Sequence, residues 1–171
     1  DISLWYVRRS RDRVGPTVPD SDDKQACLCT LHYLLSTFCQ LLAPFNPYIS
    51  DSVYKNLTGK ESVHLSNWPK AMKLSKADTQ LIGNMKLVRK IVELGLSQRK
   101  TAGVKVRQPL KTLHVSAQSP TLGAQLLQLL KDELNVKEII WNKGELSVDL
   151  DLKLDSELIS EGQLRELIRE V

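Results

Sequence analysis

The apolar residues of this chain change their spacing partway along it, and that change limits what it can fold into. Leu28, Leu31, Leu35, Phe38 and Leu42 recur at intervals of three or four, which puts them on one stripe of an α-helix. Leu146, Val148, Leu150, Leu152 and Leu154 instead alternate strictly with polar residues, the period of a strand with one face covered. A helical region followed by a small mixed one is therefore expected.

Smaller signals set the elements. Ile2 to Val14 reads as a helix that Gly15-Pro16 stops, since proline cannot continue the hydrogen-bond ladder. The acids of Asp20-Ser21-Asp22-Asp23 suit the start of a second helix, running to Ala43 before Pro44 and Pro47 break it. Ser50 or Asp51 could cap a third, ending near Thr58-Gly59. A long helix is expected over 76–100, with Leu81, Met85, Val88, Val92 and Leu96 as its apolar face and Lys86, Arg89, Lys90, Glu93, Ser97 and Lys100 as its polar stripe. Beyond it, strands at 110–115, 136–141 and 146–154 are expected, with a helix opened by Ser119-Pro120, a hairpin turn at Asn142-Lys143-Gly144 and a last helix from Ser156. The fold class is mainly α: a helical bundle over 1–100, then a small β-α-β-β-α subdomain over 101–171.

Charge is unevenly placed. Between residues 86 and 111, eight cations face the single acid Glu93, a local excess of +7 in a chain whose net charge is +4. From Glu145 to Val171, eight acids against three bases leave −5. One basic region of that density suits a polyanion. With 42% apolar and 26% charged residues the composition is that of a globular protein. No apolar run approaches the roughly 18 residues of a membrane span. The start lacks Met and a signal pattern, so an internal piece of a longer protein is expected.

Catalytic chemistry finds little support. There is no glycine-rich phosphate loop and no Gly-x-Ser-x-Gly, and the eight glycines are scattered. Cys27 and Cys29, two apart on a helix, point in nearly opposite directions and cannot share a metal. With Cys39 they read as buried structural thiols. His32, His64 and His114 lack ligand spacing, and no metal site is expected. The N-terminal segment does carry a mechanism: Arg8, Arg9, Arg11 and Arg13 lie close behind Trp5 and Tyr6. Arginine forks grip phosphate, and aromatic planes stack unpaired bases.

Several segments resemble a known family. Asp1 to Arg13 resembles the entry to the helical anticodon-binding domain of isoleucyl-tRNA synthetases, with Leu4 where the family commonly has Asn. Leu41-Leu42-Ala43-Pro44-Phe45-Asn46-Pro47-Tyr48-Ile49-Ser50-Asp51 resembles a helix junction of class I synthetases for branched aliphatic amino acids. Ser62 to Pro69 resembles the connector next to that junction, Gly103 to Leu110 the Gly-x-Lys-Val-Arg-Gln-Pro-Leu-type motif, and Asp155 to Val171 the run beyond it. The segments stand in family order. Lys73-Leu74-Ser75-Lys76 mimics a catalytic signature, but Ala77 replaces its final Ser and a helix entrance explains it better.

The resemblance implies a tRNA-binding region of an isoleucine-tRNA ligase, which would bind the anticodon stem-loop while other domains perform ATP-dependent aminoacylation. It implies no cofactor here, with ATP and Mg serving a separate catalytic domain, and it implies a cytoplasmic protein. Partners would be isoleucine tRNA and the catalytic and editing domains of the same chain. No catalytic residue is expected. Phosphate contacts are expected from Arg8, Arg9, Arg11, Arg13, Lys86, Arg89, Lys90, Arg99, Lys100, Lys105 and Arg107; Trp5 and Tyr6 are base-stacking candidates, with plain core packing the alternative for each. Arg107 has a structural alternative, tying the subdomains to the acidic tail. The valyl enzyme, and a protein-interaction module with a basic face, are the rival readings.

Overall fold

A computed structural model describes residues 2–118 and 122–170. It forms two compact units, Asp1–Met72 and Lys73–Val171.

The described residues of the first unit form helices joined by turns and irregular chain, the longest irregular stretch following Ser66. Wide π-type turns over Ile2–Val7 lead into α1 (Arg8–Val14), which Gly15 ends. The α2 helix (Asp22–Leu42) starts at Ser21, whose side chain accepts from the Lys24 amide, the N-cap arrangement expected from the acidic run. Its buried face is Cys27 and Cys39, continued by Ala43 at its C-terminal cap, whereas Leu28, Leu35 and Phe38 stay 40–49% exposed. The helical period is as read, but a neighbouring stripe makes the core. Cys29 is exposed, unlike the two buried thiols, because it lies on the opposite side of α2 from Cys27.

The α3 helix (Pro47–Thr58) begins earlier than Ser50 suggested, with Pro47 in its first turn, where a missing N–H costs nothing. Gly59 closes it at φ 67°, a conformation that favours glycine. Tyr54 reaches back to Cys39, Ala43 and Val63 to form this unit's core. His32 Nε2 meets Leu57 O at 2.9 Å, joining α2 to α3.

In the second unit α4 (Lys76–Thr101) opens with a reciprocal cap between Ser75 and Asp78. This is the entrance inferred for Lys73-Leu74-Ser75-Lys76. Its buried face is Val88, Ile91, Val92, Gly95 and Arg99, while Leu81 is 57% exposed. The expected apolar stripe thus holds only in the C-terminal half, where α4 meets the sheet. Packing groups α4 with the sheet and its helices, whereas sequence periodicity marks the change later, near residue 100.

β1 (Leu110–Ala117), α5 (Ala124–Leu134), β2 (Val136–Lys143), β3 (Ser147–Leu150) and α6 (Ser156–Glu170) come next, in the expected order. The sheet order is β2-β1-β3. β1 runs parallel to β2, with Leu113 beside Ile139, because α5 carries the chain across between them. β3 is antiparallel on the other side, with Leu113 beside Leu150. The turn at Asn142-Lys143-Gly144 therefore makes no hairpin: it takes the chain past the end of β1 to the opposite edge. β3 is also shorter than the alternation from Leu146 to Leu154, since its pairing with β1 covers only Ser147 to Leu150. Gln98 of α4 serves its outer edge, donating to Val148 O at 2.5 Å and accepting from the Leu150 amide at 3.1 Å. The helix start read at Ser119-Pro120 lies outside the described residues.

Candidate nucleic-acid interface

The α4 stripe is where helical geometry gathers cations. Residues 86, 90, 93, 97 and 100 succeed one another at helical intervals, so their side chains share one side of α4. Lys86, Lys90 and Lys100 are exposed and Arg89 is half-buried. Lys90 pairs with Glu93 at 3.0 Å, a solvent-exposed bond that costs little to exchange for phosphate.

After α4 the chain turns through Gly103 at φ 68° and presents Lys105, Val106 and Arg107 to solvent. Lys105 meets Glu166 of α6 at 2.6 Å, so the tie to the acidic tail considered for Arg107 is made two residues earlier. Gln108 adds a second tie, donating to Leu158 O at 2.6 Å. Arg107 itself stays exposed.

Arg99 is placed differently from the surface role expected of it. It is 1% exposed. Its Nη1 donates to the carbonyls of Lys105 and Gln108, and its Nη2 to those of Leu134 and Asn135, at 2.6–3.1 Å. Burial lowers its pKa to about 10, still charged at neutral pH. A planar fork with five donors suits such a cluster of carbonyls. Arg99 fixes the loop that carries Lys105 and Arg107 and has no surface to offer a phosphate.

In the first unit the arginines divide. Arg11 is exposed. Arg8 donates to Leu4 O within its own turn at 2.9 Å, and Arg9 is half-buried. Arg13 grips both carboxylate oxygens of Asp23 at 2.6 and 2.8 Å, fastening α1 to α2. That bond outweighs the opposing effect of burial and raises the guanidinium pKa while lowering that of Asp23. Trp5 and Tyr6 are half-buried, and Tyr6 donates its hydroxyl to Cys27 Sγ at 3.7 Å. The arginines and aromatics of residues 5–13 thus belong to one unit, and the cations of 86–107 to the other.

Two residues that composition could not single out organise the second unit. Asn135 ends α5 at φ 48° and donates through its side chain to Val106 O and Arg107 O. Glu161 accepts from Lys137 at 2.9 Å and from Arg165 at 2.7 Å. The Glu161–Arg165 spacing of four is a signal the sequence carries; the meeting with Lys137 depends on the fold. Among the described residues no group of three or more His, Cys, Asp or Glu could hold a metal ion, and no helix is long and apolar enough to cross a membrane.

Helical elements followed by a small mixed sheet, with cations along α4 and the loop after it, fit a protein class built to hold RNA. The family model for the anticodon-binding domain of tRNA ligase matches residues 1–115, and the chain belongs to that family. Similar curated proteins are isoleucine–tRNA ligases. The one from Leifsonia xyli subsp. xyli is 42% identical over 146 residues, covering 85% of this chain and 13% of its own length. Those from Deinococcus radiodurans and Pyrococcus furiosus are 41% and 37% identical, over 85% and 86% of this chain and 14% of their own lengths. The chain therefore spans about one seventh of the relatives it matches.

Proposed function

We propose that this chain is the anticodon-binding region of an isoleucine–tRNA ligase and acts by holding isoleucine tRNA, with bond making left to other domains of the ligase. The family match and the isoleucine enzymes among its relatives favour this over a valyl enzyme or a protein-interaction module. The observation that carries the mechanism is the exposed stripe Lys86, Lys90 and Lys100 on a single helix side. Lysines at that spacing track a phosphate backbone, fixing the register of the RNA while base contacts supply discrimination. Lys105 and Arg107 extend the contact beyond α4, and Arg11 and Arg8 serve the first unit in the same way.

ATP and Mg act in the catalytic domain of the whole ligase, and the setting is the cytoplasm, where tRNA is charged. Charge reversal at Lys86 and Lys90 together tests the footprint. Isoleucine tRNA affinity at low salt is expected to fall about tenfold or more with little change in melting temperature. Unchanged affinity would remove this side of α4 from the interface.

A further inference from the structure

A groove of about 630 Å³ lies in the second unit where the end of α5, the start of β2 and α6 meet. Four cations from four separate segments converge on it: Arg107 from the loop after α4, Lys131 from α5, Lys137 from β2 and Arg165 from α6. Against them stand two acids, Asp132 and Glu161, so the lining carries a balance of +2. Sequence neighbours on one solvated helix would not gather this way.

The acids are already engaged. Glu161 is shared between Lys137 and Arg165, and the first of these bonds does most to lower its pKa. Asp132 accepts from Gln128 at 2.8 Å. Arg165 is held in position by Glu161 and by Asn135 Oδ1, at 2.7 and 2.8 Å, two bonds that leave N–H groups of its five-donor fork for another acceptor. The carbonyl end of α5 would oppose an anion through its helix dipole. Here Arg99 occupies the Leu134 and Asn135 carbonyls and offsets that charge.

We propose that this groove is a second RNA seat, taking two consecutive phosphodiester groups of the sugar–phosphate backbone, apart from the α4 stripe. The inference rests on the tRNA-binding reading above and adds Lys131, Lys137 and Arg165 to the residues that serve it. An excess of two positive charges matches two phosphodiesters, each of charge −1. A polar, open groove of this size suits a polymer passing through it better than a single small anion enclosed in it.

The test uses the 171-residue chain, filter binding across a salt series, and the double variant Lys131→Gln with Lys137→Gln, two groove cations that lie outside the α4 footprint, beside Lys86→Gln. Losing two phosphate contacts lowers the slope of log affinity against log salt by about 1.5–2 and the low-salt affinity by about tenfold. Unchanged affinity and slope in the double variant, while the unaltered chain binds isoleucine tRNA, would overturn the groove and leave the anticodon reading standing. Equal binding of an anticodon-swapped tRNA would instead overturn that reading, with the groove still decided by the variant. Inorganic pyrophosphate is the small-anion probe. If the unaltered chain binds pyrophosphate and the double variant does not, while both bind the tRNA equally, the groove is a small-anion site and the proposal falls. Should the double variant melt early, Lys131→Gln alone is expected to show about half the slope change, and an unchanged slope would overturn the groove.

Discussion

Arg99 Nη2 lies 2.6 Å from the carbonyl oxygen of Leu134, and that bond ties the last turn of α4 to the end of α5. Three further carbonyls share the same guanidinium. Arg99→Met keeps the bulk and removes every donor, leaving buried carbonyls unanswered at about 1–3 kcal/mol for such a group. The urea midpoint of the second unit is expected to drop by the equivalent of about 3 kcal/mol, and Arg99→Lys, with a point-like head in place of a fork, by less.

Gly95 and Gly83 lie on the same helix and should respond oppositely to alanine. A Cβ at Gly95 would stand 2.7 and 2.8 Å from the two methyl carbons of Leu134, which is fully buried. Overpacking of about 1–3 kcal/mol outweighs the gain in helix propensity of about 1 kcal/mol. At Gly83 nothing lies within 4 Å, so Gly83→Ala is expected to stabilise by up to about 1 kcal/mol. Urea titration of the two variants checks the contrast.

Asp51, with Asp23, is expected to make the first unit sensitive to acid. Its carboxylate pairs with Lys55 at 2.7 Å and accepts from the Ser62 hydroxyl at 2.6 Å and the Val63 amide at 2.9 Å. The Lys55 bond first, then those from Ser62 and Val63, hold its pKa well below the ordinary 3.8. The depressed value means that the stabilisation is complete above 3.8 and is lost as pH falls from there. Melting temperature monitored through the buried Tyr54 should decline below about pH 4, and Asp51→Asn should start lower and show a flatter decline.

Much of this fold was readable from spacing and caps, and the rest depended on tertiary partners. Ser21 and Gly59 act through neighbouring backbone, so their roles could be named from adjacent residues. The edge of β3 could not: alternation from Leu146 to Leu154 describes a chain able to form a strand, while its length is set by how far β1 reaches beside it. The crossing of β1 between β2 and β3 is likewise invisible in a turn tripeptide. For the candidate interface, lysines at helical spacing placed the α4 stripe correctly on one side. Arg99 went astray because charge signals the surface by default, and only the convergence of two carbonyls from the loop after α4 with two from the end of α5 makes the interior hospitable to it. The groove cations were missed for the converse reason: Lys131, Lys137 and Arg165 sit in ordinary sequence surroundings until α5, β2 and α6 bring them together.

The most direct measurement of the central claim is filter binding of this chain to isoleucine tRNA and to the same tRNA carrying a different anticodon, at matched salt. Both share nearly the whole phosphate backbone, so nonspecific electrostatics cancels in the ratio. Tighter binding of the isoleucine tRNA by about tenfold or more is the result predicted for an anticodon reader, since one base edge read by paired hydrogen bonds contributes about 1–3 kcal/mol of discrimination. Equal affinity for the two would contradict it.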